Sequence, residues 1–332
     1  MGETIDIADL VLLFEEHDQF TISAHLRPDG DAIGSMKGLG HILEALGKKV
    51  NYLHNDGVPG SLAFLDPEEC IVVAEEGSTI SGGIFVALDT ANEERLGAHV
   101  LAALPEGTER ITIDHHITNE RYGDWVWVES DAPATAQMIW ELAKQGGWEI
   151  PPAARDALYV GVSTDTGSFR YANTTARTHE MAADLVARGL DVAEVNRLTY
   201  MNFPYRRVEL LRALLGTLEQ SADGRLAWWS LTMAMKEAVG YQPGDSEGLI
   251  DTVRGIDRVV ACVFFEEIFD GTIRVSTRSK SEAVNVSQVC QVFGGGGHNL
   301  AAGARLEGSL EEAREKVISE LQRVADAAKT KS

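Results

Sequence analysis

The residues able to do chemistry fall in four short stretches. "HLRPDGDAIGS", residues 25–35, offers His25, Asp29 and Asp31 across a Pro/Gly turn. Asp89 closes the apolar run "IFVALD". "ITIDHH" ends in Asp114, His115 and His116, and "GVSTDTGSFRY" sets Asp165 among Ser163, Thr164, Thr166 and Ser168. Each stretch has an ordinary explanation. Aspartates favour helix N-termini and turns, and Asp114 could simply orient a surface imidazole. Together the stretches match one dinuclear site. Two ions about 3.5–4 Å apart need bridging and flanking carboxylates with a few imidazoles. Oxygen and imidazole donors without a thiolate favour hard to intermediate metals over structural zinc.

A fifth stretch, "FGGGGHNLAAGA" (293–304), carries Gly295, Gly296, Gly297 and His298. Glycine runs serve as linkers. This one ends in a histidine and a strand-like segment, so its backbone could instead approach a ligand and cradle a phosphate. Arg278, in "STRSKS", could fork onto a phosphate. With Lys280, it could equally be the charge of a solvated strand edge.

The elements that must position these groups follow from periodicity. Residues 6–16 have helical spacing, "FTISAH" alternates like a strand, and "AIGSMKGLGHILEALG" is helical up to Gly47. "KKVNYLH", "GGIFVALD", "RITIDHH" and "DWVWVES" are predicted strands, followed by a helix in "ATAQMIWELAKQ" and another after Pro151 and Pro152. Strands alternating with helices predict an α/β fold, a doubly wound and mainly parallel sheet with helices on both faces. Ligands gather beyond the carboxyl ends of such strands, and His25, Asp89 and Asp114–His116 all fall there.

A mostly helical stretch with a break near Phe203–Pro204 spans 174–220. Beyond it, "GRLAWWSLT", "RVVACVFFEEIF" and "TIRVSTRS" are strands, the last two joined by a "DG" hairpin signal. "NVSQVCQVF" reads as a helix, and Ser309 and Glu312 form a capping box for a terminal helix before the tail "KTKS", expected to fray. The predicted organisation is a domain over 1–189, a helical connection over 190–214 and a smaller α/β domain with a mixed sheet over 215–332, with a cleft between the two.

The chain has 332 residues, three scattered cysteines and a net charge of −22. Cys70, Cys262 and Cys290 support neither a disulfide framework nor a zinc knuckle. The N-terminus has no basic start before its apolar stretch, Asp6 stands where a myristoylation motif needs Ser or Thr, and no apolar run is long enough to span a membrane. A cytoplasmic protein is expected. The charge disfavours long duplex DNA, which needs many cationic contacts with phosphates, but leaves room for a small phosphorylated ligand.

In this order and combination the motifs resemble the DHH phosphoesterase superfamily over nearly the whole chain. "STRSK", with Arg278 and Ser279, and "GGGGHNLAAGA" resemble the DHHA1 domain of its nucleotide-acting members. The closest resemblance is to the nanoRNase group, oligoribonucleases that also hydrolyse 3'-phosphoadenosine 5'-phosphate. The resemblance implies two Mn²⁺ ions, with Mg²⁺, Co²⁺ or Fe²⁺ as alternatives. His25 and Asp29 would bind one ion. Asp31, His115 and Asp165 would bind the other, and Asp89 would bridge both. His116 would face the substrate and Asp114 would hold an imidazole. A hydroxide formed between the ions would attack phosphorus in line. The implied substrates are short single-stranded oligonucleotides or small phosphorylated nucleotides, and the group allows a homodimer. Arg27 stands where these relatives more often carry Asn.

Other readings use the same residues. Linear or cyclic diadenylate would suit the same metals and glycine run. Pyrophosphatase relatives lack the "GGGGH" type of domain, and a processive exonuclease resembling RecJ needs more DNA-binding domains. A silent nucleotide-binding module would be expected to lack a ligand, and every candidate ligand is present.

Overall fold

In a computed structural model, which describes residues 2–80 and 82–329, five of the six residues of "QFTISA" are buried. Such a strand is covered on both faces, as parallel sheets are. It belongs to the first of two compact units, Met1–Asn202 and Phe203–Ser332.

The first unit runs β1 (Glu3–Thr4), α1 (Ile7–Glu16), β2 (Gln19–Ala24), α2 (Gly30–Ala45), β3 (Lys49–His54), β4 (Ile71–Val73), β5 (Ile84–Leu88), α3 (Ala98–Ala103), β6 (Arg110–Asp114), β7 (Trp125–Val128), α4 (Thr135–Gly146), α5 (Pro152–Asp165), α6 (Ala176–Ala187) and α7 (Val192–Tyr200). The described strands form a seven-stranded sheet of order β1-β7-β6-β5-β2-β3-β4. Every pairing in it is parallel. Phe20 and Ile22 face a large core with Leu10 and Phe14 of α1, Met36 and Leu39 of α2 and residues of α4 and α5. Phe85 and Ala87 face the other side, where α3 supplies Val100 and Ala103. Helices therefore cover both faces, unequally. Periodicity alone did not reveal the two-residue β1, the three-residue β4 or the six-residue α3, which are too short to carry a repeat.

Helices α2 and α5 pack unusually closely. A Cβ on Gly34 would lie 2.6 Å from the Ala157 carbonyl oxygen and 2.9 Å from the Gly161 nitrogen. Glycine inside a helix costs about 1 kcal/mol relative to alanine. Here that cost permits a backbone approach no larger residue would allow.

The second unit runs α8 (Tyr205–Leu215), β8 (Glu219–Gln220), β9 (Leu226–Leu231), α9 (Met233–Val239), α10 (Ile250–Arg254), β10 (Ala261–Glu267), β11 (Ile273–Ser279), α11 (Val286–Gln291), β12 (Gly296–His298), β13 (Ala301–Leu306) and α12 (Leu310–Lys329). Its sheet has the order β12-β13-β11-β10-β9-β8. It is mixed, because β9 and β10 are parallel and β10, β11 and β13 antiparallel. Val263, Phe265 and Val275 face α11 and α12, while Trp229 and Phe264 face Leu210 and Leu214 of α8 and Ile250 of α10. The "DG" signal is the β10–β11 hairpin, with Gly271 at φ +83°. Ser309 and Glu312 form the expected box at the start of α12, each backbone N–H given to the other's side chain. Lys329 ends that helix, and the remainder of the predicted frayed tail lies outside the described residues. No helix among the described residues is long and apolar enough to cross a membrane.

Candidate metal centre

Strand order reverses between β2 and β5, where the chain has built outward through β3 and β4 on one side and β6 and β7 on the other. Adjacent connections leave in opposite directions there and open a crevice at the carboxyl ends. His25 follows β2, Asp89 follows β5, and Asp114 ends β6 with His115 and His116 behind it. The start of α2 brings Asp29 and Asp31, and the end of α5 brings Asp165.

Asp89 sits at the middle of this set. It is buried and takes a left-handed backbone conformation, φ +54°. A non-glycine residue held there signals a constraint imposed by its surroundings. Its Oδ2 lies 3.3 Å from His25 Nε2 and its Oδ1 3.3 Å from His115 Nε2. Asp29 Oδ2 stands 3.7 Å from the same His25 nitrogen. Asp165 Oδ2 is 3.3 Å and Asp31 Oδ2 3.9 Å from the His115 nitrogen. Thr135 donates its hydroxyl to Asp89 Oδ1 at 3.2 Å.

The imidazoles are oriented by what their other nitrogens do. His25 Nδ1 donates to the Leu26 carbonyl at 2.8 Å, and His115 Nδ1 to the Ala132 carbonyl at 3.2 Å. Both rings therefore have a proton on Nδ1 and turn Nε2 toward the carboxylates, the nitrogen that a metal-binding histidine offers once it is unprotonated. His116 Nδ1 donates to Asp114 Oδ1 at 2.7 Å and lies 3.5 Å from Asp89 Oδ1. Asp114 is buried and holds His116, while its Oδ2 accepts from the Asn119 amide at 2.6 Å.

Two of the ordinary explanations hold alongside the chemical one. Asp29 Oδ1 caps α2, accepting the N–H groups of Asp31 and Ala32 at 3.0 and 3.1 Å, while Oδ2 faces His25. Asp31 caps a different helix: α4 lacks a side-chain cap of its own, and the Asp31 carboxylate accepts the Thr135 and Ala136 N–H groups at 2.6 and 2.9 Å.

Burial sets the electrostatics. Desolvation, then the charge of Asp89, pushes Asp31 up to about 7. Desolvation, with the charges of Asp31 and Asp29, drives Asp165 well above the usual carboxylate range. Burial alone would pull His25 down, but contacts with Asp29 and Asp89 outweigh it and push it up to about 10. His115 is raised in the same way, against its desolvation, chiefly by Asp89. Burial would raise Asp89, but His115 and His25 hold it well below its ordinary value. So many carboxylates in one dry place are costly unless cations meet them.

The donors fit divalent ions. His25, Asp29 and Asp89 form one group whose ligand atoms lie within 4.8 Å of one another, and Asp31, Asp89 and His115 form a second. Asp89 belongs to both.

In the second unit the glycine run is not an open loop. Gly296, Gly297 and His298 form β12, paired with β13. A Cβ on Gly295 would lie 2.1 Å from the Gly303 carbonyl oxygen, and one on Gly297 2.6 Å from that of Ala301. The close approach that demands glycine at these two positions is to a neighbouring strand. Arg278 and His298 pair with the same residue, Ala301, from opposite sides. Directly opposed residues share a face, so the two side chains lie on one face, separated by about two strand spacings, roughly 10 Å. Ser279 is buried, its hydroxyl 3.0 Å from the Ser281 carbonyl and accepting the Ser281 N–H at 3.1 Å, so it serves the turn after β11.

Sequence reasoning missed Asn119 and Thr135. Asn119 lies five residues after Asp114, in a turn with no periodicity. Thr135 falls inside the helix predicted in "ATAQMIWELAKQ", with no signal of its own.

Residues 19–162 match the N-terminal domain of the DHH family and residues 231–326 the DHHA1 domain. The chain belongs to the DHH family. A Bacillus subtilis protein named bifunctional oligoribonuclease and PAP phosphatase NrnA is 30% identical over 95% of this chain and 97% of its own. A Thermus thermophilus protein of the same name is 36% identical over 90% of this chain and 87% of its own. The crystal structure of an exopolyphosphatase-related protein from Bacteroides fragilis superposes with a TM-score of 0.87 at 26% identity, covering 97% of each chain. With this family and these relatives, the chain is a hydrolase of phosphoester bonds.

Proposed function

We propose that this protein hydrolyses short oligonucleotides to mononucleotides and 3'-phosphoadenosine 5'-phosphate to AMP, using two divalent ions at the carboxyl end of the first sheet. The substrate classes are those in the names of the Bacillus and Thermus relatives, which align with nearly all of this chain. The observation that carries the two-ion reading is Asp89, whose two carboxylate oxygens face two imidazoles that follow different strands, each at 3.3 Å. A carboxylate so placed can bridge.

His25, Asp29 and Asp89 hold one ion, and Asp31, Asp89, His115 and Asp165 the other. Mn²⁺ suits this mixed oxygen and imidazole set, with Mg²⁺, Co²⁺ and Fe²⁺ as alternatives. When bound, such a pair supplies an acidified water and offsets charge on the phosphoryl oxygens. Asp114 fixes the His116 ring by its Nδ1–H. That directs the opposite edge of the ring to the phosphate, where it stabilises charge or assists the departing oxygen.

Residues 1–189 form the catalytic part, and residues 190–214, which carry α7 of the first unit and most of α8 of the second, the connection. Residues 215–332 hold the nucleotide through Arg278 and His298, beside Gly295, Gly296 and Gly297. Ser279, beside Arg278 at the end of β11, belongs to the same proposed substrate-binding set. The enzyme works in the cytoplasm on short single strands rather than long duplex DNA, consistent with its net charge of −22.

A substrate panel tests this reading. Purified protein with Mn²⁺ should release mononucleotides from RNA oligomers of two to five residues and phosphate from 3'-phosphoadenosine 5'-phosphate, and chelator should stop both. Rapid hydrolysis of cyclic diadenylate with neither of those activities would replace this substrate assignment.

A further inference from the structure

The loop from His25 to Asp29 carries two candidate ligands on irregular backbone, and the end of β3 ties it down. His54 is fully buried. Its Nε2–H donates to the His25 carbonyl at 3.0 Å, and its Nδ1 accepts the Asp56 N–H at 3.0 Å. The Asp56 carboxylate accepts the Arg27 N–H at 2.6 Å. From the far side, the Leu26 N–H reaches the Arg95 carbonyl at 2.6 Å. Three successive residues of the loop are thus fixed by their backbone polar groups.

Arg27 makes the clamp necessary. Its φ is +54°. In the left-handed region a side chain with a Cβ is disfavoured, and glycine or asparagine is tolerated best. Arginine has neither advantage, so the loop has a local reason to relax. Relaxation at Arg27 would swing His25 and Asp29, on either side of it, away from their common point.

We propose that Asp56 and His54 are positioning residues for the ion held by His25, Asp29 and Asp89, with Asp56 offsetting the left-handed conformation of Arg27. The inference rests on the two-ion reading above. A charge-assisted acceptor on a backbone N–H is among the stronger hydrogen bonds, and residues that orient ligands typically alter metal affinity by about 10–100-fold.

The test is Mn²⁺ binding to the 332-residue chain, followed by electron paramagnetic resonance of free Mn²⁺ and by calorimetry. Melting temperature is recorded in chelator. In Asp56→Ala one of the two binding events should weaken about tenfold and the other stay within about twofold. Arg27→Asn placed in the Asp56→Ala background should restore the lost affinity, because asparagine accepts the left-handed backbone without help. Asp56→Asn, which keeps one acceptor oxygen, should fall between Asp56→Ala and the unaltered protein. If both events keep their affinity in Asp56→Ala, or if Arg27→Asn restores nothing, the positioning role is wrong. Asp29→Ala separates this from failure of the two-ion reading. If the unaltered protein binds two ions and Asp29→Ala loses one, that reading stands and the Asp56 variants decide the inference alone. If the unaltered protein binds none, both fall.

Discussion

Gly161 of α5 lies directly against Asp31 of α2: a Cβ on Gly161 would sit 2.9 Å from the Asp31 carboxylate oxygen and 2.5 Å from the Ala136 methyl. The absence of a side chain at position 161 lets α5 bring Asp165 beside a carboxylate that α2 supplies.

Replacing Gly161 with valine should push α5 away from this contact. Overpacking a tight helix interface typically costs about 1–3 kcal/mol, so the melting temperature should fall. The variant should also bind Mn²⁺ more weakly at the ion assigned to Asp31 and Asp165 than at the one assigned to His25 and Asp29. Equal weakening at both, or none, would separate the helix packing from the metal site.

Metal binding should release protons. His25, pushed up to about 10, holds its proton at neutral pH in chelator. A raised histidine adds stability that is complete below its ordinary value of 6.5 and lost as pH climbs through about 10. An ion can use the imidazole only after displacing that proton. Mn²⁺ affinity should therefore increase with pH from about 6 to about 9, while the melting temperature in chelator declines toward the alkaline end. Calorimetry in two buffers of different ionisation enthalpy should detect at least one proton released per protein; identical heats would count against this assignment.

Asn119→Ala should spare the ions and damage catalysis. The amide donates to Asp114 Oδ2 at 2.6 Å and to the Thr90 carbonyl at 3.1 Å, so Asp114 keeps Oδ1 for His116. Without it, Asp114 and His116 lose a fixed orientation. Phosphate release should slow by about 10–100-fold, the usual range for partners that orient site residues, with two Mn²⁺ still bound. Unchanged turnover would remove Asn119 from the site.

Much of this architecture was legible because its signals are local. "FTISAH", "IFVALD" and "ITIDHH" each end an apolar run in a polar donor, and a parallel sheet puts all such ends on one edge. What was not legible depends on packing between distant segments. Nothing near Asp31 announces that it caps α4, more than a hundred residues away. Nothing around Gly34 or Gly161 in the sequence announces that α2 and α5 meet at these two positions. The glycines near His298 raised the expectation of a ligand cradle. In the fold, Gly295 and Gly297 are required by β13, and a composition signal cannot distinguish a neighbouring strand from a phosphate.

Asp89 offers the most direct test. In Asp89→Ala, Mn²⁺ stoichiometry and phosphate release from 3'-phosphoadenosine 5'-phosphate should be measured on one preparation whose circular dichroism matches the unaltered protein. Loss of the shared carboxylate should reduce bound Mn²⁺ from two to one or none and lower turnover by at least about a thousandfold, on the scale of losing a main transition-state stabiliser. A folded variant that still binds two ions and turns over normally would overturn the bridging role and, with it, the two-ion site.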